Sequence, residues 1–460
     1  MLDQTQSEIR VVASSGMLGT GFRTETFATA MEFDPHVIGC DAGTTDAGPY
    51  YLGSGRPHFS HAEVRRDLHR MIVGARARAV PVIIGSCGGG GTDAHVDEVT
   101  DMAREILKAE QLSARLAVLK TEQDRDLIVE RMRQGRVHAL HPEISADKHD
   151  IRDAAHVVGM IGAEPFIHAL EDGADIIIAG RASDTAIFAA YPLWKGYDPG
   201  LSWHLGKILE CGAACVVQRS YSDCMMARLQ SDHFDLIPPN PAMRCSTQSV
   251  AAHSLYENAD PFRLVEATGV VDVSTARYEA VDDRVVRVSG SSFQKTDGCT
   301  VKLEGARLVG YQSIMIAGAR DSHVLDALPE WETTLVEKVA ERMTDIDPAC
   351  KYRLKLRIYG RDGVMGQLEP NKRIVGHEVG LVIETTSDTQ DAANTVAGVA
   401  RHIMLHLPVK RWSGFITGIA CLHNPPYLER GPVYEFMLNH TMEVDHPMET
   451  VNYKMITLGH

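Results

Sequence analysis

Positive charge is scarce in this 460-residue chain: 46 Lys and Arg stand against 61 Asp and Glu, a formal net charge of −15. Nucleic acid and anionic lipid surfaces call for a basic patch, so neither is an expected partner. No apolar run is long enough to span a bilayer. The opening Met1-Leu2-Asp3-Gln4 has neither the basic nor the apolar part of a secretory leader. Nine cysteines are thinly spread with no CxxC pair, which argues for free thiols in a reducing, cytoplasmic setting. Walker A, HExxH and the dinucleotide-binding glycine order are all missing, and Gly16, Gly19 and Gly21 do not supply the last of these. No repeat of fixed period and no low-complexity linker divides the chain.

What remains is an ordinary globular composition, 44% hydrophobic and 23% charged. Short runs apolar on both faces recur at 9–13, 36–39, 80–84, 115–119, 137–140 and 175–179, with helical stretches between them. Strands without a polar face belong in a sheet covered on both sides. The expected fold is α/β: an open, mostly parallel sheet with helices on both faces, followed by a smaller α+β C-terminal unit, ferredoxin-like in its order of elements. A helix is expected from about Leu201 to Arg219, and late strands near Gly414–Ala420 and Val433–His440. The changes in texture place the boundaries at 1–260 for a ligand-binding domain, 261–340 for a β-rich extension of it and 341–460 for the small unit.

In an open parallel sheet, ligands bind beyond the carboxyl ends of the strands. Five glycine-rich or charged loops follow the expected strands. Gly88, Gly89, Gly90 and Gly91 with Thr92 offer main-chain N–H groups at a helix start, a natural grip for a carboxylate or phosphate; the plainer reading is a turn with Thr92 as N-cap. Cys87 opens that loop, where a helix dipole would lower its thiol pKa and make it a nucleophile. Asp41 and Asp46 flank glycines and threonines and precede Tyr50. Paired acids of this kind bind a divalent metal, Mg or Mn, or divide acid and base roles, with Tyr50 as proton donor. Arg181 is placed to fork onto a substrate carboxylate. Ser183 and Asp184 beside it either bind substrate or cap the next helix. Glu210 lies in an apolar helix where burial would raise its pKa, unless it simply pairs with Lys207 three residues away.

Several segments resemble the acyclic terpene utilisation (AtuA-like) family. They are Ile38 to Gly55, Ala179-Gly180-Arg181-Ala182-Ser183-Asp184, Lys207-Ile208-Leu209-Glu210-Cys211-Gly212, Arg287 to Ser291, Thr300-Val301-Lys302-Leu303-Glu304-Gly305, Gly380 to Glu384 and Gly431 to Phe436. The resemblance implies a role in catabolism of branched terpenoid acids and their coenzyme A esters, sometimes with a small second subunit. It brings no settled mechanism. Together with the loops it leads to the expectation of a lyase, a hydratase or dehydratase acting on a branched carboxylic acid or its CoA thioester. The rivals are a hydrolase of a thioester or amide using Cys87, and a non-catalytic subunit needing a partner protein. A homo-oligomer is expected from chain size as a base rate.

Overall fold

The computed structural model describes residues 8–218, 221–371, 373, 376–410 and 418–459. The chain forms two units, one from Met1–Arg307 with Phe436–His460 and one from Leu308–Glu435.

The first unit is built on a ten-stranded sheet whose centre is parallel. Ile9–Ala13, Val37–Gly43, Val82–Gly89, Ile176–Ala179 and Ala114–Lys120 lie side by side in that order. The seven residues of Val37–Gly43 and the four of Ile176–Ala179 are all buried, the pattern of strands covered on both faces. Antiparallel strands extend both sides: Met225–Leu229, His233–Ile237, Val286–Ser289 and Arg277–Ala280 beyond Ile9–Ala13, and Asn452–Leu458 beside Ala114–Lys120. Helices Thr24–Glu32, His61–Arg76 and Asp93–Ala109 contribute Phe27, Leu68, Met71, Ile72 and Ile106 to the core on one face. Glu164–Glu171, Asp184–Trp194 and Pro199–Leu209 contribute Phe166, Phe188 and Trp203 to the other. Each such side chain, fully buried, stabilises the fold by about 1.5–3 kcal/mol.

Two expectations change. The run at 137–140 is not part of this sheet: Val137–Ala139 pairs antiparallel with 440–442 and is largely exposed, too little burial for a central parallel strand. The helix expected to reach Arg219 ends at Leu209, followed by a 3-10 turn Gly212–Cys215 that begins with Gly212 at φ +58°; Arg219 lies outside the described residues. The two units divide at 307/308 and 435/436. The chain crosses both points inside continuous strands, Cys299–Ala319 and Tyr427–Val444, so no linker composition marks either crossing.

The second unit runs from the end of the strand Cys299–Ala319 through helix Leu328–Ile346, strands Tyr352–Tyr359 and Val379–Ser387, and helix Gln390–His406 to the start of Tyr427–Val444. Its sheet is antiparallel, with Val379–Ser387 between Tyr352–Tyr359 and 311–319, and Ile419–Cys421 on 317–319. Val379, Leu381 and Ile383 alternate inward to meet Trp331, Leu335 and Val339 of one helix and Val396, Ala400 and Met404 of the other. The strand expected at Gly414–Ala420 falls mostly on 411–417, outside the described residues. Among the described residues no helix is long and apolar enough to cross a membrane, and all nine cysteines are free thiols.

Candidate functional site

The loops after the parallel strands converge, and their main chains are bonded to one another. Leu18 N donates to Asp41 O (2.8 Å), Thr44 N to Gly89 O (3.1 Å) and Ser86 N to Gly180 O (2.8 Å). Ser86 sits at φ +54° near the end of its strand. Its hydroxyl accepts from Ala182 N and Arg181 Nη1 (3.2 Å each) and donates to Ala182 O, bonds that hold a left-handed residue a side chain would not otherwise favour.

Arg181 is the hub of the site, and its fork is already filled. Nε donates to Glu304 Oε2 at 2.8 Å and Nη2 to Oε1 at 3.4 Å, while Nη1 reaches Asp184 Oδ1 at 3.5 Å. Both Arg181 and Glu304 are buried. Glu304 stands on the strand Cys299–Ala319, opposite Val158, with Lys302 Nζ 2.9 Å away. Burial alone would raise the Glu304 carboxyl; Arg181 and Lys302 outweigh it and hold the group at about 2. The expected grip of Arg181 on a substrate carboxylate is thus replaced by a bond to the protein's own carboxylate.

Around this pair lie carboxyls pushed the other way. Asp41 is buried; Oδ2 accepts from Gly43 N at 3.1 Å, and Oδ1 has no hydrogen-bond partner. Burial and then the charge of Asp184 raise it well above the usual carboxylate range, against the pull of Arg181. Asp184 keeps 39% of its side chain exposed, yet the surrounding protein raises it too, again against Arg181. Glu210 is 7% exposed, with Lys207 Nζ at 2.5 Å and the Thr185 hydroxyl at 2.9 Å. Burial, with Asp184 adding to it, carries Glu210 to about 7 even so. Glu266 is raised to about 8, first by loss of hydration and then by Glu210 and Asp184. Ser183 takes the N-cap position of helix Asp184–Trp194 without a side-chain cap bond, leaving Asp184 in the first turn. Each of these shifts names another member as a cause, which makes the cluster one electrostatic unit.

Other expected residues are occupied differently. Gly88, Gly89 and Gly91 have φ of +70°, +93° and +69°, but what approaches them is protein. A Cβ on Gly88 would lie 2.3 Å from the His95 ring, on Gly90 2.8 Å from the Leu52 backbone and on Gly91 2.4 Å from Arg181 N. Thr92 N-caps helix Asp93–Ala109 by accepting from His95 N. The anion at that helix start is Glu122, whose Oε2 accepts from Asp93 N at 3.0 Å and whose Oε1 lies 2.6 Å from His156 Nδ1. Cys87 lies inside the strand Val82–Gly89, fully buried, and burial followed by the charge of Asp41 pushes its thiol up rather than down; the condition for a ready nucleophile is not met. Asp46 is in an exposed turn, its N–H on the Thr44 hydroxyl, so it does not join Asp41 as a buried pair. Tyr50 opens the short helix Tyr50–Ser54, edge-on to the Tyr51 ring at 5.4 Å. Among the described residues no three of His, Cys, Asp and Glu stand so as to hold a metal ion, and the Mg or Mn expected at Asp41 and Asp46 has no donor set there.

A cavity of about 870 Å³ is lined in part by Met17, Cys211, Ala214, Tyr221, Ala252 and Tyr256, and by no carboxyl of the cluster. Cys211 follows Glu210 directly.

The model of the acyclic terpene utilisation family protein AtuA matches residues 54–221 and 238–433. The chain belongs to this family. Arg181, Asp184, Glu210, Glu266 and Glu304 all fall within the matched stretches of the AtuA model, whereas Asp41, Asp46 and Tyr50 precede them. Membership connects the protein with the utilisation of acyclic terpenes. No curated protein and no solved structure matches the chain. Three residues of the site escaped assignment from sequence: Glu304, Glu266 and Ser86. Only Glu304 had a usable signal, since Lys302 and Glu304 alternate with Val301 and Leu303 as two charges on one face of an otherwise apolar strand.

Proposed function

We propose that this AtuA-family protein is a lyase of the hydratase or dehydratase type, acting on a branched acyl substrate with Glu210 as general acid and base. The observation that carries the reading is a buried carboxyl at about 7, bonded by Lys207 and Thr185, whose sequence neighbour Cys211 lies on a cavity wall. A group that holds and releases its proton near neutrality is what general acid–base catalysis requires. In hydration, the Glu210 carboxylate takes a proton from water as the water oxygen bonds to one alkene carbon. Glu210 then gives that proton to the other carbon and returns to the carboxylate, so that H and OH are added in sum; dehydration is the reverse. Asp41, whose Oδ1 is unpartnered and whose carboxyl is pushed well up by burial, is assigned the hydrogen bond to the acyl oxygen where negative charge develops.

The test is turnover of branched α,β-unsaturated acyl compounds by wild type and Glu210→Gln. The expected loss in kcat is about 10²- to 10⁴-fold, with a wild-type pH profile that breaks near 7. Assays of homo-oligomer fractions, alone and with a co-purifying small second subunit, cover the case of a protein active only in a complex. Wild-type turnover by Glu210→Gln ends the assignment.

A further inference from the structure

We infer that the second unit carries a binding site for a small multivalent oxyanion, of phosphate or polycarboxylate type, in a cleft of about 560 Å³ walled by Arg353, Lys355 and Arg430. The inference does not depend on the acid–base reading.

The alternation of a strand builds the wall. Along Tyr352–Tyr359, Leu354, Leu356 and Ile358 turn to the helices, so Arg353, Lys355 and Arg357 stand on the other face of the sheet. The register sets Arg353 opposite Thr386 and Lys355 opposite Glu384, with Gln312 on the far side of Thr386. Gln312 ties the strands of the cleft together. Its Nε2 donates to the Thr386 hydroxyl at 3.2 Å, and its Oε1 accepts from Arg430 Nη1 at 3.1 Å. That bond holds the Arg430 guanidinium at the wall, and a neutral amide leaves its charge unanswered.

Glu384 decides the electrostatics. It faces Lys355, yet its two oxygens take the fork of Arg357 from the diagonal position, Nε at 2.8 Å and Nη2 at 3.4 Å. Long side chains reach diagonal neighbours on a sheet, and a two-pronged guanidinium bond is stronger than one to an ammonium. Lys355 is left without an ion pair among the described residues, as are Arg353 and Arg430. The one further carboxylate on the wall is Glu435. Three cations thus share a cleft with few acids in a chain whose formal charge is −15. Like charges fixed on a sheet repel one another. An oxyanion with two or more charges relieves that repulsion, and its several oxygens suit two guanidinium forks and an ammonium at once; a monoanion answers only one of them.

The experiment is calorimetric titration of the full chain with inorganic diphosphate, citrate and acetate in phosphate-free buffer. Wild type is compared with Arg353→Gln, Lys355→Gln, Arg430→Gln and, as a control on helix Gln390–His406, Arg401→Gln. All four side chains are exposed, and unchanged far-UV circular dichroism verifies folding. Diphosphate or citrate is expected to bind once per chain and about tenfold or more tighter than acetate, the tighter of the two naming the phosphate or polycarboxylate source. Each cleft variant should weaken that binding about 10- to 100-fold, the loss of one charge-assisted hydrogen bond, and Arg401→Gln should leave it unchanged. Raising salt from about 0.1 M to about 1 M, which shortens the Debye length from about 10 Å to about 3 Å, should weaken it as well. The inference is overturned if neither multivalent ion binds, if acetate binds as tightly, if the cleft variants behave like Arg401→Gln, or if salt has no effect. Binding of an oligoglutamate peptide with neither diphosphate nor citrate bound would overturn it too, in favour of a surface that docks acidic protein.

Discussion

Glu304→Gln tests whether Arg181 belongs to the scaffold of the site. The Glu304 carboxyl is held at about 2 against an ordinary 4.5. At about 1.4 kcal/mol per pH unit, that gap corresponds to about 3.5 kcal/mol of folding stability. The group is nearly fully buried, so solvent screening takes little away, and the figure agrees with the roughly 3–5 kcal/mol lost when one member of a buried pair is removed. A depressed carboxyl stabilises above its unfolded value, and the contribution is lost as pH falls from about 4.5 through about 2. Amide hydrogen exchange in Val82–Gly89 and Ile176–Ala179 reads this unit through its own central strands. The variant should exchange about 300-fold faster than wild type at pH 7, and only about 30-fold faster at pH 3.5, where about 2 kcal/mol of the contribution remains. A ratio below tenfold at neutral pH, or one that does not shrink on acidification, would refute the reasoning. If Arg181 instead served to grip a ligand, the substitution would alter ligand affinity and leave exchange unchanged.

The glycines of the expected anion loop should behave as packing residues. Gly91→Ala, at φ +69° with its Cβ 2.4 Å from Arg181 N, should lower the melting temperature far more than Gly48→Ala, at φ +79° with nothing within 4 Å, which costs only about 1–2 kcal/mol of backbone strain. Equal shifts in the two melting curves would mean that the close approach carries no weight. Cys87 should resist iodoacetamide at pH 8 in the native protein while the half-buried Cys350 and Cys421 are alkylated. Peptide mass mapping that finds Cys87 modified first would restore it as a candidate nucleophile.

What could be read from the chain is what burial and period write locally. Val82-Ile83-Ile84 and Ile176-Ile177-Ile178 announce strands covered on both faces, and each is found there. Lys207 and Glu210, three apart on a helix end, pair as their spacing allows, and the apolar surroundings still raise the acid. What could not be read is who approaches whom. Four glycines tell of positive φ and close contact, but not that the contacts are Leu52, His95 and Arg181. A helix start tells of an anion, but not that Glu122 provides it from 29 residues on. Arg181 tells of a carboxylate, and the one it holds is 123 residues away on a strand that no linker sets apart.

The unequal sharing of cations explains why the carboxyls at this edge of the sheet are pushed in opposite directions. Arg181 and Lys302 converge on Glu304 and Lys207 on Glu210, so three positive charges serve chiefly two carboxylates. Asp184 receives the long end of Arg181 at 3.5 Å, and Asp41 takes its bond from Gly43 N. Carboxyls so placed lose more from burial than they regain, and are pushed above the usual carboxylate range. Had each acid a cation of its own, all would sit where Glu304 does, ionised and unable to donate at pH 7. The strong pair ties the loops together, and the acids left over are the ones pushed upward, which is where the proposed acid–base role falls.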